Sequence, residues 1–224
     1  MKLDKQKTLL SYLYDISIQP FFSEKNGEMH LYLSSGEYKL VSKNAIYSFG
    51  NKYISFGSAF EKLKISEYSN IQKVLVLGWG MGSIANLLIK HPYVKTIHGV
   101  EHDKDLVDFY NQRFRNQYNF GFEVQVETAD AFAFFDHHTT KYDLICSDIF
   151  NDNTSPTAVI SIEYLSQLNK SININGIVML SKLNRSSEDV AQNQTLEQNL
   201  TKLNIHFNCI RTVGNNIYWW QKAG

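Results

Sequence analysis

The run Val74-Leu75-Val76-Leu77-Gly78-Trp79-Gly80-Met81-Gly82-Ser83 decides how this chain folds. Four consecutive apolar residues make a strand buried on both faces, the kind a parallel sheet encloses. The alternating glycines that follow let the backbone turn tightly and approach a ligand closely. Residues 83–91 carry Ile84, Leu87 and Leu88 at helical spacing, with Pro92 just beyond. A helix that begins at a glycine loop points free N–H donors back into it.

Downstream, strands and helices alternate. Strands are expected at 96–100, 122–126, 142–147 and 177–181, with helices at 104–118, 131–135, 157–170 and 186–203 between and after them. Asn175-Gly176 turns into the strand at 177–181. The chain finishes with strands at 205–210 and 217–221 around Gly214-Asn215-Asn216, a turn so short that these two must run antiparallel or nearly so. Such alternation implies an α/β fold: a mostly parallel seven-stranded sheet, helices on both faces, and an antiparallel last strand. Upstream the pattern differs. After a short helical start, segments 16–22, 28–34 and 38–42 are rich in Ile, Tyr, Phe, Leu and Val. Asn26-Gly27 and Ser35-Gly36 separate them as hairpin turns, and a helix is expected at 56–68. We therefore divide the chain into an N-terminal β-rich region, 1–69, and a sheet domain, 70–224.

Composition narrows the function. Lys plus Arg equals Asp plus Glu at 22 each, without the basic footprint of a nucleic-acid binder, so a small-molecule substrate is expected. The apolar fraction of 43 % supports a sizeable core without staples. Both cysteines, Cys146 and Cys209, sit in apolar runs and read as reduced, buried thiols. The opening apolar stretch is interrupted by Asp15 and is too short for a secretory signal, and no run is long enough to span a bilayer. These features suit a cytoplasmic protein without membrane contact.

Ligands of open α/β sheets sit at the carboxyl ends of the strands, where strand order reverses. Gly78, Trp79, Gly80, Met81 and Gly82 follow the first strand of this unit. Glu101 and His102 follow the second, Asp130 and Ala131 the third, and Asp148 and Ile149 the fourth. A carboxylate at Glu101 can accept from both hydroxyls of a ribose. Asp130 can face an adenine amino group, with Ala131 supplying an N–H, although Asp130 also suits a helix N-cap. Asp148 lies nearest the reacting end, although it could equally cap its own loop. Trp79 either walls the pocket or packs beneath it. No metal site is read: His137 and His138 are adjacent and point apart.

These residues resemble the spermidine synthases and their relatives. The resemblance rests on 74–82, Leu87-Leu88-Ile89-Lys90-His91-Pro92, 94–96, Gly99-Val100-Glu101 and Tyr142-Asp143-Leu144-Ile145-Cys146-Ser147-Asp148. It extends to the hairpins, including Leu31-Tyr32-Leu33-Ser34-Ser35-Gly36. It implies the Rossmann-like class I methyltransferase fold and a donor that is S-adenosylmethionine or its decarboxylated form. It also implies Asp148 as the base toward a small acceptor such as an amine. The aromatic N-terminal sheet suits packing between domains or within a homodimer.

Several positions depart from the family. Met81 stands where the family has an aspartate that holds the amino group of the donor's arm. Lys39 stands for a glutamine, Asn44-Ala45 for an acidic pair, and Ile46-Tyr47-Ser48-Phe49 for a Tyr-His-Glu-like stretch. Asn151 takes the place of an acceptor-anchoring carboxylate, with Asp152 beside it as a substitute or a plain loop charge. The nucleoside half is thus kept and the polyamine half largely altered. That favours methyl or alkyl transfer to another nucleophile, with polyamine aminopropyl transfer or non-catalytic adenosyl binding as alternatives. A nicotinamide dinucleotide is a poorer fit, because its third glycine would fall on Ser83 and leave Asp130 and Asp148 without a task.

Overall fold

The computed structural model describes residues 5–115 and 120–224. Helix α1 (Lys5–Leu10) leads into β1 (Ile16–Ser23), β2 (Gly27–Ser34), β3 (Glu37–Val41) and β4 (Ile46–Ser48), which pair in chain order as an antiparallel sheet. Gly27, Ser35 and Gly36 take positive φ of 69°, 49° and 81° at the two hairpin turns. Met29, Leu31 and Leu33 of β2 and Tyr38 and Leu40 of β3 turn inward, the two-residue period of a half-buried sheet. Strand β4 was not expected from its short, mixed sequence; pairing to β3 creates it.

The rest of the chain builds the second sheet. Its elements are α2 (Ile54–Leu63), β5 (Lys73–Leu77), α3 (Ser83–Leu88), β6 (Thr96–Glu101), α4 (Lys104–Arg113), β7 (Glu123–Thr128) and α5 (Phe134–His137). They continue as β8 (Tyr142–Ser147), α6 (Ile162–Ser171), β9 (Ile172–Leu183), α7 (Ser187–Lys202), β10 (Asn208–Arg211) and β11 (Asn215–Gln221). The strand order is β10-β11-β9-β8-β5-β6-β7. Strands β5 to β9 are parallel, and β11 is antiparallel to both neighbours. From β5 the chain runs outward through β6 and β7, then returns to lay β8 on the other side of β5. That reversal opens the crevice between the carboxyl ends of β5 and β8. Side chains alternate across the sheet: Val74 and Val76 enter one core layer with Ile84 and Leu106, while Leu75 and Leu77 enter the other with Leu165 and Leu196. Among the described residues, no helix is long and apolar enough to cross a membrane.

Differences from the sequence reading are local. The helix expected at 56–68 stops at Leu63, because Lys64 turns left-handed (φ 51°), and a 3-10 turn follows. The helix expected at 157–170 is split at Ser161, whose side chain accepts from the Tyr164 N–H and starts α6 afresh. Residues 116–118 of the helix expected at 104–118 lie outside the described residues. Strand β9 starts five residues before the expected one, with Asn175 left-handed inside it rather than ahead of it. Cys146 is buried, but Cys209 is exposed, since β10 is an edge strand.

Candidate functional site

A cavity of about 600 Å³ lies over the carboxyl ends of β5, β6, β8 and β9. Segments 44–47 and 52–55 roof it from the N-terminal side, and Val213 and Asn215 close it from the C-terminal hairpin. Gly78, Gly80, Glu101, His102, Asp130, Ala131, Asp148 and Ile149 all line it. The sheet's topology, not sequence proximity, brings these eight together.

The loop after β5 works by close approach. Gly78 has φ 85°, and a Cβ there would stand 2.3 Å from the Asp148 carbonyl oxygen. Gly80 has φ 55°, and its Cβ would stand 2.9 Å from the Tyr47 carbonyl oxygen in the roof. Trp79, Met81 and Gly82 do not line the cavity. Trp79 is 2 % exposed, with its ring over Gly99, where a Cβ would stand 2.3 Å from Cε3, and edge-on to Tyr110 at 5.3 Å. Met81 is 4 % exposed and joins the same core layer. The two bulky side chains point down because each flanking glycine turns the backbone up.

Glu101 is 7 % exposed and fastens this loop. Its Oε2 accepts the Gly80 N–H at 3.0 Å, and its Oε1 accepts the Asp103 N–H at 3.2 Å. His102 Nδ1 lies 3.0 Å from Oε1, and this contact raises the imidazole's pKa. Asp130 is exposed, and its Oδ1 accepts the Phe132 N–H at 2.7 Å, so it does shape the turn after β7. Glu101 Oε2 retains a lone pair beyond its bond from Gly80, as does Asp130 Oδ1 beyond its bond from Phe132, whereas Glu101 Oε1 already meets two partners.

Asp148 differs in how its carboxylate is held: the residue is half-buried in the cavity wall, with Oδ1 shielded from solvent. Burial pushes its pKa up from 3.8 to about 6, while hydrogen bonding from Tyr53 and the nearby Ser181 pulls the other way. Tyr53 Oη donates to Oδ2 at 2.6 Å. Oδ1 is buried and makes no hydrogen bond of good geometry. A carboxyl group poised near neutrality with one bare oxygen can take a proton.

Sequence reasoning missed Tyr53, Lys52 and Arg185, all of which line the cavity. No local signal marks Tyr53, because its hydroxyl meets Asp148 across 95 positions of chain. Asp152 is neither a solvated loop charge nor a free anchor for a substrate. Its carboxylate accepts from Ser42 Oγ and, at 2.6 Å, from Asn44 Nδ2, which lowers its pKa. Its N–H donates to Tyr47 Oη at 3.0 Å. Lys39 sits away from the cavity, paired with Asp15.

Comparison with known proteins agrees with this architecture. The spermidine synthase of Schizosaccharomyces pombe is 24 % identical over 142 residues, covering 62 % of this chain and 47 % of that protein. The chain spans 24 to 52 % of the length of the curated relatives it matches first. A crystal structure of a probable spermidine synthase from Corynebacterium glutamicum superposes with a TM-score of 0.70 at 14 % identity, covering 92 % of this chain and 79 % of that one. Human methyltransferase-like protein 13, solved in complex with SAH, gives 0.56 at 20 % identity over 72 % of this chain and 81 % of that one. At these identities the structures establish the class I methyltransferase fold. The family model for the spermine/spermidine synthase domain matches residues 58–223, and the chain therefore belongs to the spermine/spermidine synthase family.

Proposed function

We propose that this protein transfers an alkyl group from an adenosyl-sulfonium donor to a small amine, with Asp148 as the base. One observation carries the proposal: a half-buried carboxyl group of pKa about 6, held at Oδ2 by Tyr53 and without a hydrogen-bond partner at Oδ1, in the wall of a nucleoside-sized cavity. When bound, the donor supplies a carbon made electrophilic by its bond to positive sulfur.

The residues fit such a ligand. Gly78 and Gly80 keep side chains out of the space beside Asp148, and Glu101 is oriented by the Gly80 N–H. Glu101 would take the ribose hydroxyls, and Asp130 with the Ala131 N–H the adenine edge. His102 and Ile149 would flank them. Amines are mostly protonated at neutral pH, with a pKa near 10, and an ammonium has no lone pair to attack with. Asp148 would therefore take one proton from the ammonium first; the freed lone pair then forms the N–C bond while the C–S pair stays on sulfur, which leaves as a neutral thioether.

The names of the curated relatives, polyamine aminopropyltransferases and a spermidine synthase, support an aminopropyl group and a polyamine-type acceptor. Methyl transfer is the second reading, favoured by Met81: a buried thioether cannot hold the ammonium of an aminopropyl arm. Incubation with either S-adenosylmethionine or its decarboxylated form plus a panel of amines, read by mass spectrometry, separates the two. An acceptor gaining an aminopropyl group supports the first reading, and one gaining a methyl group supports the second. No product with any pair, together with unchanged ligand binding in Asp148→Asn, would leave a non-catalytic adenosyl-binding protein.

A further inference from the structure

The cavity's four carboxylates and two cations are not treated alike by the chain. Glu101, Asp130, Asp148 and Asp152 each accept hydrogen bonds from neighbouring groups. Lys52 and Arg185 also line the cavity, yet among the described residues neither makes an ion pair. Burial raises the Glu37 carboxyl's pKa, and Lys52 is near enough to oppose that rise but does not pair with it. Arg185 stands on the loop between β9 and the N-cap of α7. Asp189, four residues further on, accepts the backbone N–H groups of Arg185 and Ser186 and leaves the guanidinium alone. The side chain passes over Gly214, where a Cβ would stand 3.3 Å from Arg185 Nε. The guanidinium charge reaches Tyr53 and opposes the rise that burial imposes on its phenol. Tyr53 in turn donates to Asp148. A guanidinium fork without an ion-pair partner in the wall of the cavity that holds Asp148 is a receptor for a planar anion.

We infer that Arg185, with Lys52 as a second cation, binds a carboxylate borne by one of the two substrates. This deepens the alkyl-transfer reading above and rests on it. The carboxylate has two possible carriers. It belongs to a donor that keeps the carboxylate of its methionine arm, or to an acceptor that is an amino acid rather than a plain diamine. In the acceptor case the attacking amine lies toward Asp148 and the carboxylate toward Arg185; in the donor case the carboxylate of the methionine arm lies toward Arg185 and leaves Asp148 to the acceptor amine.

Two matched pairs of ligands test this by isothermal titration, because the members of each pair differ by one carboxylate. S-adenosylmethionine against its decarboxylated form probes the donor side. Ornithine against putrescine, titrated with 5′-methylthioadenosine already bound, probes the acceptor side. In at least one pair, the carboxylated member is expected to bind about tenfold or more tightly, the size of one charge-assisted contact. Arg185→Gln should remove that preference and leave 5′-methylthioadenosine affinity unchanged, and Lys52→Gln should reduce it in part. Arg185→Glu should reverse it. Arg185 is exposed, so these variants are expected to fold. Normal 5′-methylthioadenosine binding with no carboxylate preference in either pair overturns this inference alone. So does a preference that survives Arg185→Glu. No 5′-methylthioadenosine binding overturns the reading of the site, and this inference with it.

Discussion

At Asp148, stability and reactivity pull in opposite directions. A rise in pKa from 3.8 to about 6 means that burial disfavours the ionised form by ~3 kcal/mol. The folded chain holds this proton between those values while the unfolded chain releases it. The stabilisation is therefore fully present below pH 3.8 and is lost as pH rises through about 6. Asp148→Asn removes a charge that is poorly solvated at pH 8 and leaves an oxygen that can still accept from Tyr53. Its melting temperature at pH 8 should exceed the parent's by roughly 6–12 °C, at 2–4 °C per kcal/mol for a chain of this size, and the gap should narrow as pH falls through about 6 and close below about pH 4. Turnover should fall ~10²- to 10⁴-fold. A variant that loses activity and also loses stability would contradict this account. Tyr53→Phe acts in the other sense. Without the donated hydrogen bond the Asp148 pKa climbs further, so the acid limb of the kcat/KM profile should move up by about one pH unit. Asp148 was legible in the sequence because it ends a strand at the sheet's reversal. Tyr53 was not, because its importance depends on a contact across 95 positions of chain.

Among the elements, legibility followed how each one is made. Strand β5 is buried on both faces, so its four apolar residues declared it. Strand β4 has no such pattern and exists through its pairing with β3, which no local signal records. The loop after β8 belongs with β4: Asp152 is fixed to Ser42 and Asn44, and Asn151 and Thr154 exchange backbone hydrogen bonds at the loop's tip. The clamp thus joins two segments that neither periodicity nor motif marks. It should matter to the half of the cavity farthest from the glycine loop. Asp152→Ala is expected to raise KM for the acceptor several-fold while the dissociation constant of 5′-methylthioadenosine changes less than twofold. Equal weakening of both ligands would mean that the loop supports the whole cavity instead.

For the molecule as a whole, three polar clips hold the N-terminal sheet over the carboxyl ends of the large sheet. Ser23 Oγ donates to Asp103, which also caps α4 by accepting the Leu106 N–H. Ser48 Oγ meets Ser83 Oγ at 2.6 Å, and Ser83 Oγ accepts the Phe49 N–H at 2.9 Å at the start of α3. Ser42 and Asn44 hold Asp152. Each clip joins the roof to a segment just past a strand end, so the roof follows the crevice and not the helical flanks. A ligand in the cavity would touch both layers and add to the same junction. Binding only the folded state at one hundred times its dissociation constant contributes about 2.7 kcal/mol, or roughly 5–10 °C in melting temperature for this length. If the roof and the large sheet close on the ligand as one unit, hydrogen exchange should slow in β4 and in the loop at 149–156 together with the glycine loop. Protection of the glycine loop alone, with β4 unchanged, would mean that the N-terminal sheet is a bystander to binding. Ser83→Ala sharpens the test, since it removes the middle clip without entering the cavity. It should lower the ligand-induced protection of β4 while leaving that of the loop after β5 in place.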